Sequence, residues 1–202
     1  RKELSACSCR LFIGEKPIPS QTIEDLSTEI TEDELKEAFI DEWGVKYSKD
    51  GRKLLKAPQE LKGYYSVKEG TRIICDDAFF KCSSLTSIVI SNSVVSIGDN
   101  AFKGCNSLSN VVIPNSVTTI EAGAFWDCSS LTSIVIPNSV VSIGDSAFED
   151  CRFLLIIDIP DSVTSIGNSA FSGCNNLSYK LKQELISCFG YKLFLAPYEL
   201  PF

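Results

Sequence analysis

The chain contains no histidine and no methionine. The first absence removes Ser-His-Asp and Cys-His nucleophilic catalysis, histidine-containing zinc sites and general base work by imidazole. The second implies a chain trimmed or processed beyond an initiator residue. Positive charge is scarce where the sequence is most regular. Between residues 82 and 178, Lys103 and Arg152 face eight acidic residues, so −6 of the total charge of −7 sits there. Nucleic-acid affinity comes mainly from phosphate neutralisation by Lys and Arg, so that deficit argues against a nucleic-acid partner. No apolar run approaches the roughly 20 residues that a membrane-spanning helix needs. Hydrophobic residues make up 44% of the 202, ordinary for a globular chain of one or two domains, so disorder is not expected.

Against these absences stands a period. Cys82, Cys105, Cys128, Cys151 and Cys174 recur every 23 residues. Phe79, Phe102, Phe125, Phe148 and Phe171 keep the same interval, as do the alanines before them, Ala78, Ala101, Ala124, Ala147 and Ala170. A fixed period of 20–50 residues marks a solenoid. One unit runs from Leu131 to Cys151. Its Ile134 and Ile136 alternate with Val135, so the isoleucines share one face of a strand. Pro137, Asn138 and Ser139 form a turn, since proline ends strand pairing and Asn and Ser bond their own backbone. Val140 and Ile143 begin a second extended piece. Gly144-Asp145 turns the chain, and Asp145 is placed to cap a helical turn carrying Ala147 and Phe148. One coil cannot bury its own apolar residues, whereas stacked coils can.

This pattern, a Leu/Ile-rich strand, Pro, then V-x-x-I-G-x-x-A-F-x-x-C, resembles the BspA-like, Treponema pallidum type of leucine-rich repeat. The resemblance covers residues 65–177, four nearly complete units and a degenerate first one in which Tyr65-Ser-Val67 stands for Ile88 and Ile90. Two departures, Glu121 for Gly and Ser91 for Pro, leave the fold unthreatened. The family implies a right-handed superhelix of 23-residue coils, with short parallel strands and helical turns. It also implies a binding module, often displayed on a bacterial surface, and brings no catalytic residues.

The flanking segments read as caps: an α+β cap over residues 1–64 and a helical cap over 178–202. In the first, Thr31-x-x-Glu34 is a capping box, and Leu35, Ala38, Phe39 and Trp43 keep helical spacing. The spacing predicts a helix over 31–43, stopped by Gly44. Val45 to Ala57 reads as a hairpin around Asp50-Gly51. Helix and hairpin are expected to cover the open end of the stack, because a bare strand edge invites aggregation. Upstream, Leu4-Ser-Ala-Cys7 matches the box preceding lipid attachment in bacterial lipoproteins, but the apolar segment that should come before it is absent. Cys7 and Cys9 are therefore expected to have no special role. Leu11-Phe-Ile13 reads as a short strand ended by Pro17 and Pro19. After Leu177 the period fails. Leu181, Leu185, Ile186 and Phe189 predict a helix stopped by Gly190, followed by an apolar tail, residues 191–202, lying extended on the body.

The one-per-coil cysteines are expected to be reduced, buried and small-hydrophobic. Stacked at the strand spacing, their Cβ atoms lie about 4.8 Å apart, whereas a disulfide wants about 3.8 Å. A cysteine-only zinc ladder fails because tetrahedral ligands must converge and these run parallel. No catalytic, cofactor or metal residues are expected. The column Asp99, Asp145, Asn168 is interrupted by Ala122 and reads as capping rather than calcium binding.

Recognition falls to what points outward. Val89, Val112 and Val135, then Asp158, form the outward column of the first strands, beside Thr86 and Thr132. A valine stripe on a wetted face can mark a partner surface; valine is also simply a good strand former, and the terminal elements could cover it. Trp126 stands at a variable outward position and either anchors a partner or shields its own coil junction. The chain is expected to be a non-enzymatic binding or adhesion module for protein or glycan, on a bacterial surface or in the periplasm by resemblance. A structural or scaffolding repeat, cytoplasmic since no export signal is visible, is the alternative.

Overall fold

In the computed structural model, residues 27–196 are described. The N-terminal cysteine box, the Leu11–Ile13 strand and the last six residues lie outside them. Each coil contributes two short strands. The first strands are β4 (Gly63–Ser66), β6 (Leu85–Val89), β8 (Asn110–Val112), β10 (Ser133–Val135) and β12 (Ile156–Asp158). The second strands are β5 (Ile73–Ile74), β7 (Ser96–Ile97), β9 (Thr119–Ile120), β11 (Ser142–Ile143) and β13 (Ser165–Ile166). Equivalent residues pair in parallel at the repeat interval, as in Ile97 with Ile120 and Ile88 with Val111.

Between the strands, a turn closes on the Val140 N–H to Pro137 carbonyl bond (3.0 Å), matched at Val117 and Val163 (both 3.1 Å). Ser91 keeps that turn without proline: its hydroxyl bonds Glu69 (2.9 Å) and Ser93 (2.6 Å). After the second strand comes a glycine forced by proximity. A Cβ at Gly144 would sit 2.5 Å from the Ala122 nitrogen, and one at Gly167 2.3 Å from the Asp145 nitrogen. Where Glu121 replaces this glycine, its N–H reaches the Ile97 carbonyl at 3.2 Å, against 2.8 Å for Gly144 and Gly167 on theirs. Two left-handed residues then shape each coil, for example Asn100 (φ 52) and Gly104 (φ 75), or Ser146 (φ 54) and Asp150 (φ 57). These are Asn, Asp, Ser and Gly far more than bulky types, as the conformation demands.

Those turns aim Ala and Phe inward. The phenylalanine rings stack face to face, with centroids 5.0, 5.2, 5.4 and 5.6 Å apart from Phe79 to Phe171. Four of the buried thiols then donate to a phenylalanine carbonyl one coil back: Cys105 to Phe79 (3.1 Å), Cys128 to Phe102 (3.2 Å), Cys151 to Phe125 (3.2 Å) and Cys174 to Phe148 (3.1 Å). All the described cysteines are free, and burial pushes the Cys128 and Cys151 thiols well up. The aspartate column caps between coils rather than within one. Asp145 accepts from the Asn168 N–H (2.6 Å), and Asp99 from the Ala122 N–H (3.0 Å).

The N-terminal cap departs from the expected long helix. Helix α1 (Glu32–Glu37) has its Thr31 capping box, but Ala38 leaves helical geometry at ψ 137. β1 (Phe39–Ile40) then turns back on β2 (Lys46–Tyr47), because Phe39 gains a stack on Tyr47 (5.4 Å) that a helix would forgo. Leu35, Phe39 and Trp43 are exposed rather than packed as one stripe. β2 pairs antiparallel with β3 (Lys53–Lys56), around Gly51 at φ 74. β3 pairs parallel with β5, so the hairpin continues the sheet of second strands, eight strands in the order β1-β2-β3-β5-β7-β9-β11-β13.

At the other end, helix α2 (Tyr179–Phe189) is capped by Ser178, whose hydroxyl accepts from the Leu181 N–H (3.2 Å), and ends at Gly190 (φ 88). The tail beyond it does not lie extended from residue 191. A 3₁₀ turn, Tyr191–Leu193, brings Leu193 and Phe194 one repeat on from Ala170 and Phe171. The Phe171 N–H donates to the Leu193 carbonyl at 2.9 Å, as Phe148 does to Ala170, and Phe194 lies 6.1 Å from the Phe171 ring. Helix α2 thus stands in for the strands of a sixth coil, and the core ladder gains one more rung.

Candidate functional site

The second strands form one unbroken sheet; the first strands do not. β4, β6 and β8 make one sheet, β10 and β12 another, and no ladder joins β8 to β10 although they lie side by side. Asn106 bridges the two coils at the break. Its amide donates to the Asp127 carbonyl (3.1 Å), the Asp127 carboxylate (3.0 Å) and the Ser129 hydroxyl (3.3 Å) of the next coil. The flanking coils are joined by Ser109 N–H to Thr86 carbonyl (3.0 Å) and Leu155 N–H to Thr132 carbonyl (2.9 Å). At the seam the bond is instead Ser130 N–H to Asn106 carbonyl (3.2 Å), one residue out of step. Ser83 and Ser129 hold the Asn106 position in neighbouring coils and are too short for this clamp.

A groove of about 460 Å³ lies over the seam, lined by Val112 and Val135 with Asn110, Asn115, Ser133 and Asn138 around them and Asp158 at one side. Its apolar centre and amide rim give it both an anchoring surface and hydrogen-bonding groups, the usual make-up of a recognition patch. Asp158 is the acidic residue of its lining, and the repeats that carry it, residues 82–178, are net −6.

Val89, Val112 and Val135 are 39%, 57% and 66% exposed, and no described residue covers them. Thr86 and Thr132 are exposed beside them. Val112 and Val135 share the groove; Val89 is one strand away, paired through β6 with β8. Trp126 is not part of this face. It is half-buried at the Phe125 turn, with the Lys103 ammonium 3.4 Å from its ring centroid and Gly123 against its edge.

Residues 65–196 match the BspA type leucine rich repeat region in six copies, well over half the chain. The chain belongs to this family. The matched region ends just past the Phe194 rung. Among solved structures, a leucine rich cell surface protein from Faecalibacterium prausnitzii is 34% identical, with a TM-score of 0.68 over 71% of this chain and 38% of its own. The pneumococcal vaccine antigen PcpA shares the fold at 22% identity, with a TM-score of 0.59 over 79% of this chain and 48% of its own. The chain therefore spans less than half the length of either. No curated relative matches the chain.

The BspA-type repeats carry more exposed apolar surface than the valine column alone predicts. Phe153, Leu155 and Ile156 are also exposed, and Ile156 pairs with Ser133 across β10 and β12. The signal was present: Phe153 to Ile157 is an unbroken apolar run where the other coils place Ser, Thr or Asn outward. Among the described residues no group of three or more potential ligands could hold a metal, and no helix is long and apolar enough to cross a membrane.

Proposed function

We propose that this chain is a non-enzymatic binding module that takes a protein partner along its first-strand face, centred on the Val112–Val135 groove. The observation that carries this is the contiguity of exposed Val112, Val135, Leu155 and Ile156 beside a seam where two neighbouring strands leave their facing edges unpaired. Apolar anchors ringed by amides suit a protein surface, and the acidic field favours a partner with basic residues. The family resemblance and the cell surface description of the Faecalibacterium relative support display on a bacterial surface.

The test is binding of the full chain to a panel of immobilised extracellular-matrix proteins. Val112→Asp and Val135→Asp, each with an unchanged circular-dichroism spectrum, are expected to weaken a captured interaction by at least about tenfold, the loss of roughly 1.4 kcal/mol. Equal affinity in both variants overturns the site.

A further inference from the structure

A further pocket lies at the N-terminal edge of the same face. β4 pairs on one side only, with β6, and the turn between β1 and β2 folds over its other side. There a small pocket of about 180 Å³ is lined by Trp43, Tyr64, Glu42, Ser66 and Lys68 above Asp41 and Tyr65. Trp43 and Tyr64 are 54% and 56% exposed, two large rings that the core does not use.

The uncommitted polar groups of the pocket point to its ligand. Asp41 is already committed: one oxygen accepts the Trp43 and Val45 N–H groups (3.0 and 2.9 Å), the other the Tyr65 hydroxyl (2.7 Å). The Lys68 ammonium stands over the Phe39 and Tyr47 rings, 5.2 and 5.5 Å from their centroids. Glu42 has no hydrogen bond or ion pair among the described residues, and the Tyr64 and Ser66 hydroxyls are likewise free. Asp41 keeps its charge, so with Glu42 and Lys68 the lining is net −1, which disfavours an anionic ligand. What remains is a ring-sized space with flat apolar faces, one strong acceptor, one strong donor and two hydroxyls.

We propose that this pocket binds a neutral pyranose residue of a glycan. The C–H face of the sugar stacks on Trp43 or Tyr64, Glu42 accepts from vicinal hydroxyls, and Lys68 and Ser66 meet hydroxyls on the far edge. Such a ring satisfies polar groups that an apolar side chain would leave unpaired. The site is independent of the Val112–Val135 groove.

The experiment uses the full chain with Trp126→Phe, so that Trp43 is the remaining tryptophan. It is titrated with methyl β-D-glucopyranoside, methyl β-D-galactopyranoside and methyl α-D-mannopyranoside, with N-acetyl-lysine methylamide as a cationic control. The expected result is a saturable change in Trp43 emission with at least one glycoside in the millimolar range. Tyr64→Ala and Glu42→Gln are expected to weaken it about tenfold or more, and Val112→Asp to leave it unchanged. Saturation-transfer NMR on the unsubstituted chain should show the same sugar and the same losses. Silence with every glycoside, a response to the lysine derivative alone, or equal binding by Tyr64→Ala overturns the proposal.

Discussion

At the scale of single residues, the cysteines show how far spacing alone carries. Their interval places them in one buried column, and the structure bears that out. The role of each thiol was not legible, because its acceptor is the carbonyl of a phenylalanine 26 residues earlier, set by how one coil seats on the last. Burial raises these thiols above their ordinary 9.0, to about 11 for Cys82 and about 12 for Cys174, and raises Cys75, outside the column, to about 12. A group that holds its proton more tightly when folded stabilises the fold fully below its unfolded value. That contribution is lost as pH rises from about 9 toward the folded values, by up to about 1.4 kcal/mol per thiol per pH unit. Urea unfolding is therefore expected to hold its midpoint between neutrality and about pH 8.5 and to fall steeply by pH 10. A flat profile across that range would contradict protonated, buried thiols. Iodoacetamide at pH 8 should likewise modify exposed Cys188 and leave Cys105, Cys128 and Cys151 untouched until the chain unfolds, as read by peptide mass mapping.

At the scale of elements, local signals were right about kind and wrong about extent. The Thr31 capping box does start a helix, but helical spacing through Trp43 overstated it, since Phe39 finds more contact on Tyr47 in a hairpin than along a helix face. The glycine after three of the second strands, Gly98, Gly144 and Gly167, was legible as a turn; its physical reason is crowding by the previous coil. Gly144→Ala is expected to cost about 1–3 kcal/mol by overpacking against the Ala122 backbone. Gly70→Ala, with φ 87 but open space around it, should cost only about 1–2 kcal/mol of left-handed strain. Denaturant midpoints separate the two, and an innocuous Gly144→Ala would mean the coils can slide apart. The seam could not be read from the repeat at all, because every core position around it is filled normally. One side chain, Asn106, bridges it. Asn106→Ser, the residue at this position in neighbouring coils, removes the clamp and is expected to let β10 join β8. Hydrogen exchange should then slow at the Ser133–Val135 amides, while β9 and β11 stay as they are. Unaltered exchange there would show that the break has another cause.

At the scale of the whole molecule, stability is a chain of nearest-neighbour contacts. Each interior phenylalanine is shared between two interfaces: Phe125 lies 5.2 Å from one ring and 5.4 Å from the next, both nearly parallel. The ends lack this symmetry and are finished differently. At one, antiparallel strands extend the long sheet; at the other, α2 and the Leu193–Phe194 rung satisfy the Ser169 and Phe171 N–H groups, which donate to the Lys192 and Leu193 carbonyls (2.8 and 2.9 Å). A chain ending at Ser178 bares those donors, the Phe171 ring and the apolar residues beneath α2. An exposed coil end of this kind is a template for a second copy. The shortened chain is expected to unfold at lower urea than the full chain and to show a mass that rises with concentration in size exclusion with light scattering. Phe194→Ala keeps the helix and the backbone bonds and loses one tilted contact, so it should stay monomeric with a smaller drop in midpoint. If the two variants behave alike, the terminal rung alone closes the stack; if neither departs from the full chain, the fifth coil is self-sufficient and α2 is an appendage.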